Sequence, residues 1–88
     1  MDILNNGLVK IYIMQRYKDL GSNSGVVAYE IGKDFIKVQF VDGSTYLYNY
    51  SLPGKNEVET MKQLAMAGSG LATFINKYVH GNYAGKLS

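Results

Sequence analysis

Three groups of residues in this chain could do chemistry: tyrosines, lysines and a Gly-Ser-Gly junction. Tyr46, Tyr48 and Tyr50, three of the eight tyrosines, stand at alternate positions in the run 34–50. A sheet that displays aromatic rings beside a lysine such as Lys37 is a usual platform for stacking bases. Gly68-Ser69-Gly70 precedes an amphipathic run. Glycines before a helix leave backbone N–H groups free, and such an end attracts phosphate. Lys62 before the junction and Lys77 two turns beyond it would add positive charge; the bland alternative is a helix–helix turn that needs small residues. His80 suits the dipole at a helix C-terminus and is kept as an outer member of the same set. Together these residues describe a site for an anionic, base-containing ligand. Tyr48 or Tyr83 would stack on the base, and Ser69, Gly70, Lys62, Lys77 and Lys86 would meet phosphate.

Other chemistry finds little support. The chain has no cysteine and one histidine, which excludes disulfides and thiolate catalysis and leaves too few ligands for a structural zinc site. Most acidic residues fall at turns, caps or solvent faces. Asp42 belongs to a turn, and Glu57 and Glu59 suit the positive end of a helix dipole. No acid, base or nucleophile stands poised beside a partner, so the chain reads as non-enzymatic, without cofactor or metal.

Charge adds a mild bias. The formal net charge is +2. Residues 1–54 balance, and the excess lies beyond Gly54, where Lys55, Lys62, Lys77 and Lys86 outnumber Glu57 and Glu59. That excess is compatible with an anionic ligand near the C-terminal half, and also with ordinary solvated lysines.

The elements that must position these residues fit one small domain of 88 residues. At that size folding hides only roughly 60–65% of the surface of the unfolded chain. A second copy covering more apolar area would help, so a homo-oligomer is an expected partner. Residues 1–6 lack a basic stretch followed by an apolar run, and no window approaches the ~20 apolar residues of a membrane span. No membrane partner is expected, and the cytoplasm is the default location.

Leu8 to Tyr17 alternates like a strand, and residues 19–25 read as a loop, a flexible connector behind an N-terminal arm. Val26–Ile31 predicts a strand with Val27, Tyr29 and Ile31 on one face. The run 34–50 predicts a hairpin about Asp42-Gly43. A two-residue loop would place Tyr46 and Tyr48 beside Lys37 and Gln39. A three-residue loop, Val41-Asp42-Gly43 with Gly43 left-handed, pairs Val38 with Tyr46 and Ile36 with Tyr48 and gathers the apolar side chains on one face. The second register is favoured, with Lys37, Gln39, Leu47 and Asn49 outward. It makes Tyr46 and Tyr48 core residues whose hydroxyls reach a wet edge.

Leu52-Pro53-Gly54 ends the sheet. Asn56 then opens a helix, with Glu59 in a capping-box position, and Val58, Met61, Leu64 and Ala65 form its buried stripe. After the Gly-Ser-Gly break, Leu71, Phe74, Ile75, Tyr78 and Val79 give a second amphipathic helix that stops at Gly81. Residues 82–88 form a tail that docks through Tyr83 or frays. The fold class is α+β: an antiparallel meander of three to four strands followed by two C-terminal helices packed on one face. Residues 1–21 form an added strand or arm, and 22–88 the main domain.

The run Phe40-Val41-Asp42-Gly43-Ser44-Thr45-Tyr46-Leu47-Tyr48 resembles the F-x-[ND]-G-x-x-Y-x-Y signature of the KTSC domain. That module is named for the C-terminus of some lysyl-tRNA synthetases and also stands alone in bacterial and phage proteins. Ser22-Asn23 and Val27-Ala28-Tyr29 are similar to the family's opening strand, and Pro53 to its proline. Phe74-Ile75-Asn76, Val79 and Tyr83 are similar to its final helix with a downstream Tyr. Two departures stand out: Gly70-Leu71-Ala72 replaces the family's Ser-x-Gly, and His80 stands where Arg or Lys is usual. The family's function is not established. The resemblance implies RNA binding by its company with a tRNA synthetase, and it lowers the expectation of an enzyme. RNA is therefore the first expected ligand. The alternatives are a phage-type protein that sequesters a small nucleotide signal, and a protein–protein adaptor using its N-terminal edge strand.

Overall fold

The register of one hairpin decides which tyrosines are core. The computed structural model describes residues 14–21 and 24–88. Its elements are β1 (Gln15–Arg16), β2 (Val26–Ile31), β3 (Phe35–Phe40), β4 (Thr45–Asn49), α1 (Lys55–Ala67), α2 (Leu71–Phe74), which continues as a π-helical segment Ile75–Val79, and β5 (Gly85–Lys86). The five strands form one antiparallel sheet in chain order.

Between β3 and β4, Ile36 faces Tyr48 and Val38 faces Tyr46. The Phe40 amide donates to Ser44 O at 2.8 Å, and the Gly43 amide to Phe40 O at 2.8 Å. Val41-Asp42-Gly43 is therefore a three-residue loop, closed by Gly43 at φ 90°, a conformation that costs a side chain but not glycine. The Asp42 carboxylate accepts from the Ser44 amide at 2.9 Å and hydroxyl at 2.6 Å, which pins the turn. These bonds from Ser44 hold the Asp42 carboxyl below its usual value. Burial selects this register because a slip of one residue would exchange the two faces. Ile36, Val38 and Tyr48 are accordingly buried, and Lys37, Gln39, Leu47 and Asn49 lie on the opposite face, half-buried.

The helices cover the inner face. Val58, Met61 and Ala65 of α1, with Leu71, Ile75 and Val79 beyond it, close one core against Ile36, Val38 and Tyr48. Gly68 ends α1 at φ 76° with its amide donating to Ala65 O and Leu64 O. A Cβ there would stand 2.7 Å from Lys18 Cβ, so the position needs glycine for space as well as conformation.

Several expectations are corrected. The sheet has five strands, because two-residue pieces extend both edges. Of the strand expected over residues 8–17, positions 8–13 lie outside the described residues, and Gln15–Arg16 pairs with Tyr29 and Ala28. Tyr17 is 3% exposed and belongs to the common core, and the Leu20 amide donates to Gly68 O at 2.7 Å. The end of the expected arm is thus integral to the domain. In β2 the register shifts between Val26 and Ala28; this bulge turns Val26 into the core and leaves Val27 exposed, while Tyr29 packs inward and Ile31, opposite the buried Ile36, stays on Tyr29's face but partly in water. At the start of α1 no capping box forms. Gly54 is the N-cap, without a side-chain bond, and Glu59 binds Tyr50 and Lys62 instead. The tail docks: β5 pairs with β4, and the Tyr83 ring lies 4.6 Å from that of Tyr46.

Candidate ligand-binding groove

The residues expected to bind a ligand do not form one cluster. Tyr48 is 2% exposed, edge-on to Tyr83 with ring centroids 6.5 Å apart. It presents no face to a base. Burial, and then the neighbouring Tyr46 and Tyr83, pushes its hydroxyl up to about 12. Tyr83 is half-buried against Tyr46. Lys86 is exposed, with its Nζ 5.9 Å from the Tyr46 ring centre. Lys37 stands 3.6 Å from Glu30 on the outer face of the sheet.

Lys62 serves the fold. It is buried, and its Nζ donates to Lys33 O at 2.9 Å and lies 2.8 Å from Glu59 Oε2. The Tyr50 hydroxyl donates to the same Oε2 at 2.6 Å. The bond from Lys62, and then that from Tyr50, holds the Glu59 carboxyl below its usual range, and the bond to Glu59 raises the Tyr50 hydroxyl. Lys62→Met keeps the aliphatic stem and removes both bonds. A loss of about 1–3 kcal/mol is expected, read as a lower urea midpoint. The Glu59 contribution is present above the ordinary carboxylate pKa and is lost as pH falls through the lowered value. The gap between the proteins should therefore narrow in acid. Equal midpoints at neutral pH would show that water satisfies these groups.

Ser69 and Gly70 line a hollow of about 300 Å³ with Tyr17, Asp19, Ser24 and Thr73. Two features there argue against phosphate. The Leu71 amide already donates to the Tyr17 hydroxyl at 3.3 Å, and the Asp19 carboxylate would repel an anion. Lys77 and His80 are exposed at the far end of the π-helical segment. His80 adopts φ 52° while its amide donates to Ile75 O at 2.6 Å.

A different groove, of about 240 Å³, lies where the first turns of α1 meet the last helix. It is lined by Asn56, Glu57, Thr60, Phe74 and Tyr78. In the π-helical segment each turn takes an extra residue. Leu71, Ile75 and Val79, four apart, stay buried, while Tyr78 turns out to 65% exposure. This corrects the stripe that placed Tyr78 inward. Phe74 backs the Tyr78 ring, with centroids 5.1 Å apart and planes at 43°. Glu57 is half-buried and has no hydrogen-bond or ion-pair partner among the described residues. Its Oε1 would lie 3.1 Å from a Cβ at position 54, so Gly54 leaves room for the carboxylate. Sequence reasoning missed this groove. Glu57 was fully explained by the helix dipole, and Tyr78 by the stripe.

By its fold the chain is a small α+β domain with its helices packed on an antiparallel sheet. No protein-family model, curated protein or solved structure matches it, so the likeness to the KTSC signature stands on the quoted residues alone. Among the described residues, no helix is long and apolar enough to cross a membrane, and no group of three or more His, Cys, Asp or Glu could hold a metal ion.

Proposed function

We propose that the chain is a small non-enzymatic binding module for an anionic, base-containing ligand, RNA before a free nucleotide. The base is taken at the groove beside α1, and the hairpin serves as scaffold. The observation that supports this reading is Tyr78: a ring 65% exposed, backed by Phe74, at the lip of a groove of about 240 Å³. An aromatic face left in water is a stacking surface for any base, and such stacking is worth about 1–3 kcal/mol per base. Lys77, exposed and next to Tyr78 in the chain, suits a ligand that carries phosphate. The KTSC-like run favours RNA by association with translation.

Fluorescence anisotropy with labelled single-stranded RNA tests the reading. Binding should weaken steeply with salt, because phosphate contacts release counterions. Tyr78→Ala should weaken it about 5- to 100-fold at unchanged thermal stability, since the ring is mostly in water. No binding even in low salt, or a Tyr78→Ala protein that binds as well as the parent, would overturn the proposal. Stabilisation by a mononucleotide without RNA affinity would move the assignment to a small nucleotide ligand.

A further inference from the structure

We infer that the groove selects guanine, through the Glu57 carboxylate. This rests on the proposed base-binding role and goes further, by naming the base. The chemical question is what planar group could stack on Tyr78 and also satisfy a half-buried carboxylate that has no partner among the described residues.

A carboxylate only accepts hydrogen bonds, and its two oxygens are met best by two parallel donors in one plane. Among the four RNA bases only guanine carries such a pair, N1–H and the 2-amino group, adjacent on its Watson–Crick edge. Adenine and cytosine offer an amino group next to a ring nitrogen lone pair, and uracil offers one N–H between two carbonyls. Each of these would set a lone pair against a carboxylate oxygen. Unstacked bases are read on this edge in single-stranded RNA recognition.

The groove supplies what that contact needs. Glu57 lies in the first turn of α1 and Tyr78 on the last helix, and both line the same cleft with Asn56 and Thr60. The space left by Gly54 gives the carboxylate its place. A guanine seated there would lay its ring on Tyr78 and turn its two donors to Glu57. An arginine side chain of a protein partner has a similar planar pair of donors. The excess of lysine in this half of the chain, including Lys55 and Lys77 close to the groove residues in sequence, favours the ligand that brings phosphate over the one that brings positive charge.

The test uses the full chain and labelled oligouridine carrying one central guanosine, inosine, adenosine or cytidine. Guanosine should bind about 10- to 100-fold more tightly than the others, the discrimination a good bidentate contact gives. Inosine, which lacks the 2-amino group, should fall between guanosine and adenosine. Glu57→Gln should erase the guanosine preference, and the adenosine oligomer should bind at least as tightly as to the parent, because the amide removes the carboxylate oxygen that its ring lone pair opposes. Glu57 has no hydrogen-bond or ion-pair partner among the described residues, so the variant should stay folded, with its melting temperature lowered only by about 1–8 °C through the charge lost from the first turn of α1. Equal affinity for all four oligomers would overturn the guanine assignment and leave the base-binding role standing. A preference that survives Glu57→Gln would remove Glu57 from it. An arginine-bearing peptide that displaced the guanosine oligomer from the parent, but not from the Glu57→Gln variant, at lower concentration than guanosine monophosphate would reassign the groove to a protein partner. Absence of binding to any oligomer would overturn the base-binding role itself.

Discussion

Tyr17→Ala is expected to lose about 3–5 kcal/mol, the range for deleting a large buried aromatic side chain. A domain of this size holds on the order of 5–10 kcal/mol in total, so the variant should be half-unfolded at low urea. The reason lies in how many parts Tyr17 joins. Its ring is 3% exposed within the common core, its amide donates to Val27 O at 2.9 Å, and its hydroxyl accepts from the Leu71 amide at 3.3 Å. Tyr17→Phe isolates the last of these. It keeps the ring and strands a buried N–H, for about 1–3 kcal/mol, and amide exchange at Leu71 should quicken. A Phe variant as stable as the parent would show that the Leu71 amide finds water. The same contacts bear on the adaptor alternative. Removing residues 1–21 would take Tyr17 from the core, so loss of assembly would not separate a docking role from unfolding. A truncation of residues 1–13 keeps Tyr17 and makes that test clean.

How far the sequence speaks for itself depends on whether a feature is local. The central hairpin was legible because two signals agreed. Gly43 supplied the positive φ a three-residue loop needs, and only one register put Ile36, Val38, Tyr46 and Tyr48 on the same face. The break at Gly68 was legible for a similar reason. The edge strands were not, because two residues carry no period to read. The bulge in β2 was hidden by two adjacent valines, either of which could face the core. Leu71, Phe74, Ile75, Tyr78 and Val79 fit a regular helix as well as the π-helical turn that exposes Tyr78. Asn56 and Glu59 had the spacing of a capping box, but Lys62, one turn on in the same helix, and Tyr50, nine residues back in the chain, drew Glu59 away. The candidate groove depended on the same non-local facts. That Glu57 lacks a partner among the described residues is a property of its neighbours in space, and nothing in the sequence around it says so.

The second large effect is at Tyr48, where the two conservative tyrosine changes should part company. Tyr48→Ala should cost about 3–5 kcal/mol, since it opens a cavity between Ile36, Tyr83 and the helices. Tyr48→Phe should cost nothing and can gain up to about 1 kcal/mol. The Tyr48 hydroxyl has no hydrogen-bond partner among the described residues, and burying an unpaired hydroxyl is unfavourable. Alkali adds an independent check. Burial raises the Tyr48 pKa to about 12, so the folded state favours the neutral phenol. That contribution is whole below the unfolded value near 10 and is lost as pH rises from there toward 12. The parent should lose stability across this window, and Tyr48→Phe should lose less. Tyrosinate absorbance should show a phenol in the parent that titrates toward pH 12 and is missing from the variant. A Tyr48→Phe protein weaker than the parent by more than about 1 kcal/mol would mean that the hydroxyl does have a partner, by the same measure that assigns Tyr17 one.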